Sequence, residues 1–149
     1  MYESGWPTLV VVCKRPALGV GKQRMAVHLG AETTYHVAEA LLACAMEDAE
    51  NWLGPVVIAP ANAADHDWAH TLFKNVNPCV NVLPQISGNL GQRLNGLDAT
   101  LRSKGIQQLV YIGSDAPGLC KTDFLLVKNT LQNHDTVLIP AVDGGVVLM

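Results

Sequence analysis

Short apolar runs alternate along this chain with longer segments that have helical spacing. The first run, TLVVVC at residues 8–13, is continuously apolar after its threonine. A strand that is apolar on both faces must be covered on both faces, and helical crossovers between such strands make the sheet parallel. The alternation therefore predicts an α/β fold with three layers, α/β/α, around a mostly parallel sheet.

The alternation resolves into five strands and four helices. We predict strands at residues 8–13, 55–59, 80–83, 108–112 and 136–139. We predict helices at residues 31–52, 65–73, 90–102 and 122–131, with Thr122 as a helix N-cap. Residues 146–149 form a short apolar end. Because no repeat, low-complexity tract or linker interrupts this order, we expect a single domain over residues 1–149.

Composition excludes several classes of protein. Apolar residues make up 49% of the chain and charged residues 15%, which argues against disorder. A formal net charge of -3 makes nucleic acid an unexpected partner, and the apolar runs are too short to span a membrane. The four cysteines are scattered and form no CxxC pair: Cys13, Cys44, Cys79 and Cys120. Together with the lack of a signal-peptide pattern, this predicts reduced thiols and a cytoplasmic location.

The loop after the first strand, residues 14–24, carries two glycines and four cations in eleven residues. Glycines let a backbone approach phosphate, and lysine and arginine neutralise its charge, so this loop is a candidate phosphate site. An exposed basic turn is the alternative. The loop is not a P-loop, because Pro16 stands at the first glycine position and Gln23 at the hydroxyl position. A dinucleotide fingerprint also fails, because Arg24 occupies the last glycine position.

Later loops add acidic candidates at the same expected edge of the sheet. Asp115 follows the fourth strand, where a carboxylate can bind magnesium, although on spacing alone an ordinary turn is the favoured interpretation. Asp143 and Gly144 follow the fifth strand within another strong turn signal. Arg93, at the start of the third long helix, can reach an anion or be a solvated surface residue. The spacing of His66 and His70 favours a surface helix over a metal site.

Four of these segments, in this order, resemble the DUF2064 family of glycosyltransferase-A-like bacterial proteins. The resemblance runs from about Leu9 to the last residue. The motifs are Lys14-x-Pro16-x-x-Gly19-x-x-Lys22-x-Arg24, Gly88-x-Leu90-Gly91-x-Arg93, Gly113-Ser114-Asp115-x-Pro117-x-Leu119 and Pro140-Ala141-x-Asp143-Gly144-Gly145.

This resemblance implies the nucleotide-diphospho-sugar transferase fold and a nucleotide or nucleotide-sugar ligand. It implies that nucleotide and phosphate are bound by Lys14, Pro16, Gly19, Lys22, Arg24, Gly91 and Arg93. It makes Asp115 the ligand of a divalent metal, magnesium or manganese, and it places Asp143 and Gly144 on the acceptor side. No catalytic residue follows from it.

The chain departs from the family pattern at three points. Gln23 stands where the family usually has threonine, and Val146 where it usually has an aromatic residue. The family's chain also continues further, so this sequence is expected to be a shortened member. Residues 146–149 would then be an unpaired apolar sheet edge, and we expect a homodimer to cover it.

Two classes of function follow. The first is a metal-dependent transferase, either a glycosyltransferase or a nucleotidylyltransferase. The second is a catalytically inactive module that binds a nucleotide or a partner. A Rossmann-like oxidoreductase is disfavoured by the missing dinucleotide fingerprint.

Overall fold

The computed structural model describes residues 5–73 and 80–149. Its strands are β1 (Thr8–Cys13), β2 (Val56–Pro60), β3 (Val80–Val82), β4 (Leu109–Ile112), β5 (Ile139–Pro140) and β6 (Val146–Leu148). Its α-helices are α1 (Gln23–Leu29), α2 (Ala31–Asn51), α3 (His66–His70), α4 (Leu90–Ser103) and α5 (Lys121–Thr130), and a 3-10 turn (Ala63–Asp65) precedes α3.

The strands form one sheet in the order β3-β2-β1-β4-β6-β5. The first four in sequence, β1 to β4, are mutually parallel wherever they pair. The last two are antiparallel to their neighbours, since β6 pairs with β4 on one side and with β5 on the other. The carboxyl ends of β1 to β4 therefore meet along one edge of the sheet.

Alternate residues of the central strands pack on opposite faces of the sheet. Leu9 and Val11 of β1 contribute to a core shared with α2 and α5, whereas Val10 packs with Leu97 and Leu101 of α4. All three β1 side chains are fully buried. This two-sided burial is why the run is continuously apolar, and it confirms the predicted three-layer α/β/α fold with a mostly parallel sheet.

The structure corrects two predicted boundaries. The fifth strand, predicted at residues 136–139, is the two-residue β5, because its partner β6 offers only three residues for pairing. Thr122 is not an N-cap: α5 begins at Lys121, and Cys120 is the cap. The carboxylate of Asp123 accepts a hydrogen bond from the Cys120 backbone N–H at 2.9 Å. An acidic side chain thus provides the acceptor for a backbone N–H at the start of the helix.

The prediction of an unpaired apolar edge at residues 146–149 is wrong. The strand β6 is inserted between β4 and β5, and Leu148 is only 1% exposed. Two backbone hydrogen bonds join Met149 to Tyr111, at 2.6 and 3.0 Å. The expected homodimer therefore loses the premise on which it was based.

Cys13, Cys44 and Cys120 are free thiols, and Cys79 lies outside the described residues. Within residues 5–73 and 80–149, no helix is both long and apolar enough to cross a membrane.

Candidate functional site

A cleft of about 1180 Å³ opens along the carboxyl edge of the sheet. Residues that follow β1, β2, β3 and β4 all line it, together with β6. The chain leaves β1 toward β2 and β3 and then returns to the other side of β1 at β4. Open α/β sheets bind ligands in the crevice at such a reversal of strand order. The cleft thus lies where this topology favours a ligand.

Lys14 and Arg15 lead from β1 into the cleft, and both are exposed. Arg15 is already engaged, since its Nη1 lies 3.7 Å from Oδ1 of Asp65 and its guanidinium lies 5.8 Å from the ring centre of Trp68. Lys14 forms no ion pair or hydrogen bond with the part of the chain that the structure describes. Its ammonium group is therefore free for an anionic ligand.

Arg93 lines the cleft from the first turn of α4. This turn is fixed by a capping box, in which Asn89 Oδ1 accepts from the Gln92 N–H at 3.0 Å and Gln92 Oε1 accepts from the Asn89 N–H at 2.9 Å. The Nε of Arg93 is buried and lacks a hydrogen-bond partner among the described residues. A buried donor left unpaired costs about 1–3 kcal/mol, so this guanidinium group is not fully satisfied by the chain itself.

Asp115 lies beyond β4 in the same cleft, and its side chain is exposed. The turn that follows is closed by a backbone hydrogen bond from Leu119 to Ala116 at 3.2 Å, without the Asp115 carboxylate. A β-carbon at Gly113 would lie 3.0 Å from Asp115 Oδ1, so this glycine leaves room for the carboxylate. Within the described ranges, Asp115 has no hydrogen bond or ion pair.

The carboxylate of Asp115 could hold a metal ion only together with groups supplied by a bound ligand. Across residues 5–73 and 80–149, no group of three or more His, Cys, Asp or Glu side chains could hold a metal by itself. Mg²⁺ is commonly bound through one or two carboxylates, with water and substrate phosphates completing its coordination. Asp115 fits the role of that single protein carboxylate for a phosphate-bound ion.

Two other ionisable groups in the cleft wall are kept neutral at physiological pH. Burial raises the pKa of the Cys13 thiol to about 12, and the negative charge of Asp65 adds to this effect. Burial likewise raises the pKa of Tyr111 to about 12, with a further contribution from Asp98, whose Oδ1 lies 3.5 Å from the tyrosine hydroxyl. The charge in the cleft therefore comes from its lysine, arginine and aspartate side chains.

Several residues expected at the site lie outside the cleft. Gly19 and Gly21 adopt left-handed backbone angles (φ 73° each) that shape the first loop. The site residues predicted from the sequence that do not line the cleft are Pro16, Gly19, Lys22, Arg24, Gly91, Asp143 and Gly144. Pro16 lines a separate groove of about 610 Å³ against α2 and α3. The Asp143 carboxylate accepts a hydrogen bond from the Gly145 N–H at 3.0 Å, as in an ordinary Asx turn.

Asn62, Gln85 and Ser114 also line the cleft; no motif includes Asn62 or Gln85, and Ser114 belongs to the third motif but was given no role. Each lies within three residues of the carboxyl end of a parallel strand. The rule that ligands bind beyond the carboxyl ends of strands would have identified these positions if applied to every strand, rather than to the glycine-rich and acidic loops alone.

A family model described as "Uncharacterized protein conserved in bacteria (DUF2064)" matches residues 44–149. The chain belongs to this family. The match begins inside α2 and includes Arg93 and Asp115, whereas the first loop, residues 14–24, lies before it. The DUF2064 resemblance inferred from the sequence is thus confirmed over residues 44–149. No curated protein matches the chain.

Two solved structures share the fold of this DUF2064 chain. A candidate nucleotide-diphospho-sugar transferase from Desulfovibrio desulfuricans G20 superposes with a TM-score of 0.80 at 21% identity. The 4-diphosphocytidyl-2C-methyl-D-erythritol synthase of Anaerococcus prevotii DSM 20548 superposes with a TM-score of 0.55 at 15% identity. Each match covers 95% of this chain but only 61% and 62% of the respective structure. At these identities the comparison establishes the nucleotide-diphospho-sugar transferase fold.

Proposed function

We propose that the cleft binds the diphosphate of a nucleotide or nucleotide sugar together with a divalent metal, in a glycosyltransferase or nucleotidylyltransferase reaction. The observation that carries the proposal is the convergence of Lys14, Arg93 and Asp115 from three separate sequence motifs on one cleft. None of the three side chains has a charged partner within the described residues. The cleft also lies at a reversal of strand order, where open α/β sheets bind ligands, and the fold is shared with proteins named for such reactions.

The proposed roles follow from the charge of each group. Lys14, from the loop after β1, and Arg93, from the first turn of α4, supply the positive charge that binds phosphate oxygens. Asp115 would hold Mg²⁺ or Mn²⁺, which, when bound, would stabilise negative charge on the departing phosphate. Positioning and charge neutralisation are the main contributions a protein makes to such transfers.

A thermal-shift screen tests the binding step. We expect nucleotides or nucleotide sugars with Mg²⁺ or Mn²⁺ to raise the melting temperature by several degrees, because ligand at about 100 times its dissociation constant stabilises by about 2.7 kcal/mol. Lys14→Met and Arg93→Met should lose most of this shift. Lys104→Met, an exposed substitution at the far end of α4, is the matched control and should keep it. No shift with any nucleotide would overturn the proposal.

The released product separates the possible reactions. A glycosyltransferase releases a nucleoside diphosphate from a nucleotide sugar, and a nucleotidylyltransferase releases pyrophosphate from a nucleoside triphosphate. Binding without either product would identify the inactive nucleotide-binding module instead. The acceptor-side role of Asp143 and Gly144, the single domain, the homodimer and the cytoplasmic location stay predictions from the sequence.

A further inference from the structure

The charged residues in the first half of the chain are separated by sign. Residues 14–24 contain four lysines and arginines and no acid, whereas residues 25–73 contain seven aspartates and glutamates and no lysine or arginine. Charges that are clustered by sign create extended potentials at a protein surface. The separation therefore gives the folded chain two surfaces of opposite sign.

The basic surface consists of the outer part of the first loop together with α1, residues 17–29. The helix α1 packs against α2 but has no buried residue, and Val27 on this helix is 81% exposed. Leu18, in the loop before it, is 65% exposed. The side chains of Lys22 and Arg24 form no ion pair or hydrogen bond with the described residues. A seven-residue helix is marginal in water by itself, so this element gains stability where a partner covers it.

The acidic surface is the groove of about 610 Å³ between α2 and α3. Leu42 and Met46 of α2 and Trp68 of α3 give this groove an apolar lining. Glu47 and Glu50 also line it; both are exposed, and neither has an ion pair within residues 5–73 and 80–149. Apolar area flanked by free carboxylates is complementary to a basic segment that exposes apolar side chains.

The two surfaces are neighbours along α2. Tyr35 and Glu50 both line the groove, and their separation on α2 makes the groove run about 22 Å along this helix. Arg15 and Pro16 of the first loop border the same groove, and α1 packs against α2. The basic surface therefore adjoins the acidic groove. Adjacent patches of opposite sign are self-complementary under a two-fold rotation, which brings each patch of one copy onto the opposite patch of the other.

We propose that these surfaces form the interface between two copies of the chain, with residues 17–29 of each copy lying in the α2–α3 groove of the other. Leu18 and Val27 cover the apolar lining, and Lys22 and Arg24 meet the glutamates at its edge. The two-fold axis makes each of these contacts occur twice. This interface gives Lys22 and Arg24, which lie outside the cleft, a role that is independent of nucleotide binding. It uses a surface distinct from β6, which is paired on both sides within the sheet.

Charge reversal tests this interface in solution, with self-association measured by analytical ultracentrifugation. One variant carries Lys22→Glu with Arg24→Glu, and the other carries Glu47→Lys with Glu50→Lys. Alone, each variant sets like charges against each other at both contacts of the dimer. In an equimolar mixture, the two variants restore opposite charges at both contacts, because the reversed surface of each copy then meets the reversed surface of the other.

The wild type should dimerise at about 100 µM protein, and raising the salt from about 50 to about 500 mM should weaken the dimer by about tenfold. Each reversed variant, with a native circular dichroism spectrum, should dimerise at least about tenfold more weakly. Their mixture should recover dimerisation to within about threefold of the wild type. The controls are Lys104→Glu and Asp135→Lys, exposed substitutions outside both surfaces, which should dimerise as the wild type does.

Three outcomes would overturn the proposal: a wild type that stays monomeric at about 100 µM, reversed variants that dimerise normally, or a mixture that remains monomeric. Binding of a monomeric wild type to phosphatidylserine vesicles, lost in the Lys22 and Arg24 double variant, would assign the basic surface to an anionic membrane instead.

Discussion

The indole Nε1 of Trp52 donates a hydrogen bond to the carbonyl oxygen of Pro7 across the end of the core, at 3.0 Å. Trp52 is 6% exposed and packs edge-on against Trp6 and Phe124, with ring centroids 4.8 and 5.7 Å away. Gly54 lies directly beside this bond. A β-carbon there would be 2.7 Å from the Pro7 oxygen and 2.8 Å from the Trp52 Nε1.

Gly54→Ala should therefore strongly destabilise the fold. The added methyl group must displace the indole or the Pro7 carbonyl, which combines overpacking with the loss of a buried hydrogen bond. We expect the free energy of unfolding to fall by about 3 kcal/mol in urea denaturation. The matched control is Gly118→Ala, where a β-carbon meets no atom within 4 Å, and it should stay within about 1 kcal/mol of the wild type. Equal stabilities of the two variants would contradict this packing.

Asp48 on α2 should make stability decrease as the pH rises. Burial raises its pKa from 3.8 to about 6, and the charge of Glu47 adds to this effect. Between these two values the folded state binds more protons than the unfolded state, so stability falls through this range and the loss is complete above about pH 6.

Replacing Asp48 removes the group that titrates. Melting temperatures measured from about pH 4 to about pH 7 should decline less in Asp48→Asn than in the wild type. Asp135→Asn, an exposed substitution between α5 and β5, should retain the wild-type slope. The interpretation is wrong if Asp48→Asn and the wild type have the same pH dependence.

The cysteines should differ sharply in reactivity. Cys13 is 4% exposed, and burial raises its pKa to about 12, whereas Cys120 is exposed at the start of α5. Alkylation requires the thiolate and access to it. With iodoacetamide at about pH 8, peptide mass spectrometry should show Cys120 modified at least about a hundredfold faster than Cys13. Comparable rates in a protein with a native circular dichroism spectrum would contradict the burial of Cys13.

The central sheet was predictable because burial on both faces leaves a direct signal in sequence, as in the continuous apolar run of β1. The position of Asp115 was predictable because it comes just after such a run. The insertion of β6 between β4 and β5 was not, since pairing across the sheet depends on long-range contacts that three apolar residues do not encode. The cap at Cys120 was missed because cysteine is not a common capping residue. Asn62 and Gln85 were missed because they belong to no motif and lie in the cleft only through the strands that precede them.

The most direct test of the proposed site is the affinity of a nucleoside diphosphate, measured by titration calorimetry with and without Mg²⁺, in the wild type and in Asp115→Asn. We expect Mg²⁺ to strengthen wild-type binding by about tenfold or more, since Asp115 would hold the ion and the ion would neutralise diphosphate charge. Asp115→Asn should lose this enhancement and Asp135→Asn should keep it. If the wild type does not bind the nucleotide, or if Asp115→Asn shows the full Mg²⁺ enhancement, the cleft is not the metal-dependent nucleotide site proposed for this chain.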